Sequence, residues 1–227
     1  MPAFRIPLRI AEIFYSVQGE GALVGVPSVF VRTSGCNLRC SWCDTPYTSW
    51  RPEGEERSLD SIIEEVESFG TTHVVVTGGE PMIAPEIGEL TRRLRGHLTI
   101  ETAGTVDADF RCDLLSISPK LANSTPDGRF AAQHERLRYQ PDVLRKLMSR
   151  FPYQLKFVVV SAGDLDEIRG VIKETRADPD RVVLMPEGID AAVLAERGRW
   201  LVEICKREGF RFSPRLHVDL WGARRGV

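Results

Sequence analysis

The residues with the plainest chemistry are three cysteines within eight positions, Cys36, Cys40 and Cys43. Their CxxxCxxC spacing puts three thiolates on one short loop, while Cys112 and Cys205 lie far along the chain. Three thiolates can hold three irons of a cubane iron–sulfur cluster and leave the fourth iron open to another ligand. A structural zinc site wants a closed tetrahedral set of four, and would have to borrow Cys112, Cys205, His73 or His217 from a distance. An odd cysteine count, clustered in this way, speaks for metal ligation over a disulfide framework. An open iron suits a chelating ligand that carries both an amino and a carboxylate group.

The elements that position this loop follow from hydrophobic patterning. Short runs rich in β-branched residues recur at 29–33, 74–77, 98–101, 114–118, 155–160 and 182–185. Most are separated by helical patterns, of which 58–70 is the clearest: Leu59, Ile62, Ile63, Val66 and Phe69 form one apolar stripe between a Ser cap and a Gly stop. Residues 85–96, 164–175 and 190–208 read as further helices. Near-continuously apolar strands that alternate with helices imply a parallel sheet covered by helices. Six such steps are too few for an eight-stranded barrel, so the expected fold is α/β, an open partial (β/α)6 barrel, with extra strands at 8–15 and 210–218. Residues 121–140 read as a loop or a short helix over the site. No repeat or linker marks a second domain, so residues 1–227 read as one domain. The loops after the strands would all converge on one mouth.

Composition limits the partners. The chain has 227 residues, with 30 Lys plus Arg against 32 Asp plus Glu, and so lacks the basic excess of nucleic-acid binders. No apolar run approaches the ~18 to 20 residues needed to cross a bilayer, and no charged flank leads into a hydrophobic signal core at the start. The expectation is a cytoplasmic protein with no membrane partner.

The cysteine loop after the first core strand, with Trp42 before its last cysteine, resembles the radical S-adenosylmethionine (SAM) superfamily. Thr77-Gly-Gly-Glu-Pro81 is similar to that superfamily's GGEP motif, which holds the methionine amino group; alone it reads equally as a tight strand exit. Within the superfamily the chain resembles the 7-carboxy-7-deazaguanine synthases. That resemblance rests on Phe14-Tyr-Ser-Val-Gln-Gly-Glu-Gly21, Phe30-Val-Arg-Thr-Ser-Gly-Cys36, Cys43-Asp-Thr45, Glu101-Thr-Ala-Gly104, Ser118-Pro-Lys120 and His217-Val-Asp-Leu-Trp-Gly222. The Gln18-Gly-Glu-Gly21 turn lacks the spacing of a dinucleotide-phosphate loop.

The resemblance implies a radical SAM core, with a 4Fe–4S cluster on Cys36, Cys40 and Cys43 and SAM against Gly78, Gly79 and Glu80. Ser118, Pro119 and Lys120, with Met185, Pro186, Glu187 and Gly188, match segments that hold the ribose, carboxylate and adenine of SAM. Val17, Gln18 and Gly19 match positions that present backbone and amide groups to a heterocycle, and Thr77 one that faces the substrate. Arg32 would grip a carboxylate at two points, or else form a structural ion pair. Thr45 matches a magnesium ligand. Glu101 either touches a ligand or is merely buried and paired, and Glu20 and Asp44 receive no role. Residues 222–227 fold over the substrate or form a solvated basic tail.

The implied reaction is the ring contraction of 6-carboxy-5,6,7,8-tetrahydropterin to 7-carboxy-7-deazaguanine with loss of ammonia, on the way to queuosine. A carbon–nitrogen lyase of this kind would be a homodimer and take its electron from a flavodoxin or ferredoxin. Two other readings share the cysteine loop: a glycyl-radical-enzyme activase, and a non-catalytic metal-binding module. The Gln18-Gly-Glu-Gly21 element and Arg32 speak against the activase, which needs a groove for a protein loop.

Overall fold

The structure is a computed structural model and describes residues 7–227. Strand β1 (Leu8–Val17) turns back as a hairpin into β2 (Pro27–Thr33). After the cysteine loop come a one-turn helix α1 (Pro46–Ser49), a short strand β3 (Glu55–Arg57) and helix α2 (Leu59–Ser68). Then follow β4 (His73–Gly78), α3 (Ile87–Arg93), β5 (His97–Thr102) and β6 (Leu114–Ile117). Two helices, α4 (Ala131–Arg138) and α5 (Pro141–Arg150), lead to β7 (Tyr153–Val159). The chain ends with α6 (Leu165–Thr175), β8 (Val182–Pro186), α7 (Ala191–Glu208), β9 (Arg211–Phe212) and α8 (Leu216–Trp221).

Among the described residues all strands join one sheet in the order β3-β1-β2-β4-β5-β6-β7-β8-β9. From β2 to β9 every pairing is parallel, while β1 pairs antiparallel with both β2 and β3. The edge strands β3 and β9 do not pair, so the barrel is open. The six core strands are those expected, and β1 is the expected N-terminal addition.

Buried runs such as Val74, Val75 and Val76 in β4 reflect a sheet covered on both faces. In β7 the period of two separates Leu155 and Phe157 from Gln154 and Lys156. The apolar pair packs in the core, whereas Lys156 faces the barrel interior, where a polar chamber is built. Helix α2 starts where expected, with Ser58 Oγ accepting from Ser61 N at 3.2 Å.

Three expectations need correction. Residues 210–218 are not one strand: Pro214 has no N–H to donate, the last backbone bond to β8 is Ser213 N to Leu184 O, and a helix begins at Leu216. The 85–96 helix shrinks to Ile87–Arg93, and no helix joins β5 to β6. Residues 121–140, read as a loop or a short helix, do hold a short helix, α4, after two 3-10 turns; the helix not among those expected is α5, which carries buried Leu144 and Leu147.

Candidate active site

The cysteine loop has no regular structure, so its backbone groups must find partners elsewhere. Much of that bracing comes from the stretch between β6 and α5. Ser41 N donates to Ser124 O at 2.9 Å and Trp42 Nε1 to Asn123 O at 3.0 Å. Arg39 N donates to Nδ1 of buried His134 at 3.1 Å, whose Nε2 meets Ser124 Oγ at 2.9 Å. Because Nδ1 accepts, His134 is neutral there, and burial lowers its pKa from the usual 6.5. On the other side Trp50 Nε1 donates to Cys40 O at 3.0 Å, and Cys43 Sγ lies 3.2 Å from Ser49 Oγ.

The exit of β4 packs directly on this loop. Gly79 N donates to Thr33 O at 3.3 Å and Glu80 N to Gly35 O at 2.9 Å. A Cβ on Gly79 would stand 2.1 Å from Gly35 O, so this glycine is dictated by the approach of two backbones. Glu80 is buried behind the wall: its carboxylate accepts from Met82 N, Thr102 Oγ1 and Ala103 N at 3.1, 2.8 and 2.7 Å. Burial raises its pKa, against the pull of those hydrogen bonds.

The three thiols open on a chamber of about 1300 Å³, counting its mouth. Val17, Gln18, Gly19, Arg32, Thr45, Thr77, Gly78, Gly79, Ser118, Lys120, Met185 and Glu187 also line it. Pro119, Pro186 and Gly188 do not, and neither does Glu80. Parallel register sets Arg32 beside Thr77. Glu101 joins two of the others, accepting from Gln18 Nε2 at 3.2 Å and Thr77 Oγ1 at 2.8 Å. Arg32 Nε donates to Glu12 at 2.6 Å, so the ion pair exists, yet its guanidinium still borders the chamber over Phe14. Burial disfavours its charge, but Tyr47 and Glu12 outweigh that and raise its pKa.

The Gln18 loop does not come from the mouth where the strands end. Register pairs Val17 with Pro27 at the start of β2, so the loop enters from the opposite end. It is held by residues distant in sequence: Ala22 N donates to Gln154 Oε1, Gly21 N to Ser213 Oγ and Leu216 N to Gly19 O. A Cβ on Gly19 would collide with His217 Nδ1 at 2.0 Å.

Four charges form a chain across the chamber wall, buried at Lys156 and Arg215 and ending on the exposed Asp44. Lys156 pairs with Glu20, Glu20 with Arg215 Nε at 3.0 Å, and Arg215 Nη2 with Asp44. Arg215 Nη1 also donates to Gly188 O at 2.6 Å. Burial would raise Glu20, but Lys156 and Arg215 hold it well below the usual carboxylate range; for Asp44 too burial is outweighed, and Arg215 lowers its pKa. Sequence reasoning missed Lys156 and Arg215, and gave His217 no place in the site beyond the motif it opens. A lysine within the apolar strand 155–159 was a usable signal, whereas Arg215 had none nearby in sequence.

Residues 30–211 match the Radical SAM superfamily. A curated 7-carboxy-7-deazaguanine synthase from Rhodopirellula baltica is 47% identical, over 97% of this chain and 89% of its own. One from Halobacterium salinarum is 46% identical, over 94% and 90%. The chain belongs to the 7-carboxy-7-deazaguanine synthase family of radical SAM enzymes. The crystal structure of QueE from Escherichia coli shares the fold of this synthase, with TM-score 0.71 at 24% identity over 93% of this chain and 95% of that one.

Membership in the synthase family implies a 4Fe–4S cluster and SAM, and the residues present fit that cluster. Burial pushes the Cys36 thiol up to about 12 and the Cys40 thiol to about 11, so deprotonation of this pair calls for the positive charge of bound metal. Among the described residues no three of His, Cys, Asp and Glu are arranged to hold a single ion. A cubane asks for something else, one sulfur on each of three irons.

Two outcomes are expected of this synthase. Arg215→Met should cost about 1.5–3 kcal/mol in urea unfolding, the loss of its charged hydrogen bonds to Glu20, which keeps Lys156, and to the more exposed Asp44; a loss below about 1 kcal/mol would contradict the charge chain. His134→Ala should destabilise by about 1–3 kcal/mol at neutral pH, leaving Arg39 N–H unpaired. A lowered folded pKa gives stability that is present above 6.5 and lost as pH falls through the folded value. The gap between wild type and His134→Ala should therefore narrow on acidification, and a gap that widens would refute the neutral tautomer.

Proposed function

We propose that this chamber contracts the ring of 6-carboxy-5,6,7,8-tetrahydropterin to give 7-carboxy-7-deazaguanine and ammonia, a step in queuosine biosynthesis. The observation that carries this reading is the meeting, in one chamber, of three thiols with a carboxylate grip and an amide–carboxylate pair. Cys36, Cys40 and Cys43 would hold the cluster, and SAM would lie against Gly78, Gly79, Ser118, Lys120, Met185 and Glu187. When bound, cluster and SAM together supply a radical able to remove hydrogen from substrate C6. The chain itself positions.

Arg32 keeps its terminal nitrogens free of hydrogen bonds to other described residues and can bond the substrate carboxylate at two points. Glu101 has spent one lone pair on Gln18 and one on Thr77, which leaves acceptors for the N–H edge of a pterin. Gln18 has its amide oxygen engaged by Glu20 N, so its orientation is fixed before the heterocycle arrives. Val17 and Gly19 border the same pocket. The hydroxyl of Thr45 would hold a magnesium ion, with substrate and water completing a hard oxygen shell. Glu80 and Gly188 support the site through other residues: Glu80 fixes Ala103, and Gly188 O receives Arg215. Fixing donor carbon and substrate carbon in near contact converts abstraction into an effectively intramolecular step.

The remaining features are part of the same proposal. The chain works as one radical SAM domain over 1–227, as a homodimer in the cytoplasm, and takes its electron from a flavodoxin or ferredoxin. A single sheet running from β1 to β9 supports the one-domain reading, and among the described residues no helix is long and apolar enough to cross a membrane.

Anaerobic reconstitution with SAM, magnesium and the pterin acid should yield the deazaguanine acid by mass spectrometry; a cluster-loaded protein that makes none sinks the reading. Cys40→Ala should lose the iron chromophore and turnover together. Arg32→Ala should keep the chromophore and raise KM about tenfold or more, as losing about 1.5–3 kcal/mol from a charge-assisted hydrogen bond implies. An unchanged KM would return Arg32 to a purely structural ion pair.

A further inference from the structure

Arg32, the grip on the substrate carboxylate, shares its counter-ion with a second arginine. Between Ile10, opposite Thr33, and Glu12, opposite Arg32, strand β1 carries one extra residue, Ala11. A bulge of this kind re-aims the side chains beside it. Glu12 Oε1 accepts from Arg32 Nε at 2.6 Å and from the Tyr47 hydroxyl at 2.8 Å. Its other oxygen lies 3.9 Å from Arg225 Nε. Arg225 is held there by two further contacts: its guanidinium carbon stands 3.7 Å from the centre of the Tyr47 ring, and Nη1 pairs with Glu53 at 3.1 Å. Stacking and pairing together give a defined place to a side chain that is half exposed. Arg32 borders the chamber, whereas Glu12, Tyr47 and Arg225 do not.

The cluster answers an electrostatic conflict. A carboxylate on Nε fixes the Arg32 guanidinium and leaves its terminal nitrogens to a ligand. The same negative charge, however, repels any carboxylate that approaches those nitrogens. Glu12 and Arg32 are both largely buried, with side chains 16% and 18% exposed, so water screens that repulsion poorly. A second cation on the other oxygen of Glu12 offsets it. Glu53 also faces Arg225, but it is exposed, and its charge is screened by solvent.

We propose that Arg225 is a positioning residue for the substrate. By sharing Glu12 with Arg32 it keeps the Arg32 guanidinium both fixed and attractive to an anion, and so favours a carboxylated pterin over one without that group. The proposal rests on the reading above that sets the substrate carboxylate on Arg32.

The test uses cluster-loaded enzyme with SAM, and calorimetric binding of two probes, 6-carboxypterin and pterin without the carboxylate, beside KM and kcat for the reduced pterin acid. Arg225→Met should weaken 6-carboxypterin binding and raise KM about two- to fivefold, less at high salt, while kcat and pterin binding stay at wild-type values. Glu12→Gln keeps an oxygen for Arg32 Nε but removes the charge, so in that background Arg225→Met should change neither Kd. A loss of equal size in both backgrounds, or for both probes, would mean that Arg225 only seats the end of the chain, and would overturn the proposal. So would an Arg225→Met variant that matches wild type, or a wild type with no preference for 6-carboxypterin. A wild type that shows the preference but forms no deazaguanine acid would count against the ring-contraction reading instead, and the binding cycle would still judge Arg225.

Discussion

One guanidinium holds the chamber together. Arg215 bonds Glu20 of the hairpin loop, Asp44 of the cysteine loop and the Gly188 carbonyl after β8, so four distant parts of the chain meet at one planar group. Lys156 closes the series from β7, and the two cations balance the two carboxylates. A largely buried ionic chain of this kind contributes little net stability over apolar packing, but removing one member leaves its neighbours short of a partner. Its value is positional: five donors in a rigid fork fix directions that a hydrophobic contact leaves loose.

A second constraint is the irregular cysteine loop, whose polar backbone must be satisfied by groups brought from elsewhere. The structure does this with indole N–H groups from Trp42 and Trp50, with a neutral imidazole, and with a second backbone laid against it at Gly79. The glycines after β4 therefore have a reason that precedes any ligand. They allow the strand exit and the cysteine loop to share hydrogen bonds at a distance no side chain would permit.

Much of this was legible in the sequence where the signal is local. The core strands, the α2 stripe with its Ser58 cap, and α7 between Asp190 and Gly209 follow from periodicity and punctuation. So does the thiol trio, because three ligands lie on one loop. What could not be read depends on contacts far apart along the chain. Nothing near Arg215 in sequence announces Glu20, and the long terminal strand failed because Pro214 ends pairing just where Arg215 turns inward. Glu80 was legible as part of a motif, but its partners were not, since Thr102 and Ala103 come from the end of the next strand. The 121–140 stretch lacked a strong apolar stripe, and its order derives from the loop it braces.

The hairpin loop enters the barrel from the end opposite the thiols, and it is gripped by residues 213–217. Glu20 and Arg215 lie 195 positions apart. The three thiols and the groups that brace their loop all lie before residue 140, whereas the grip on the hairpin loop comes from 213–217, so one wall of the chamber is local in the chain and the facing one is assembled across its length.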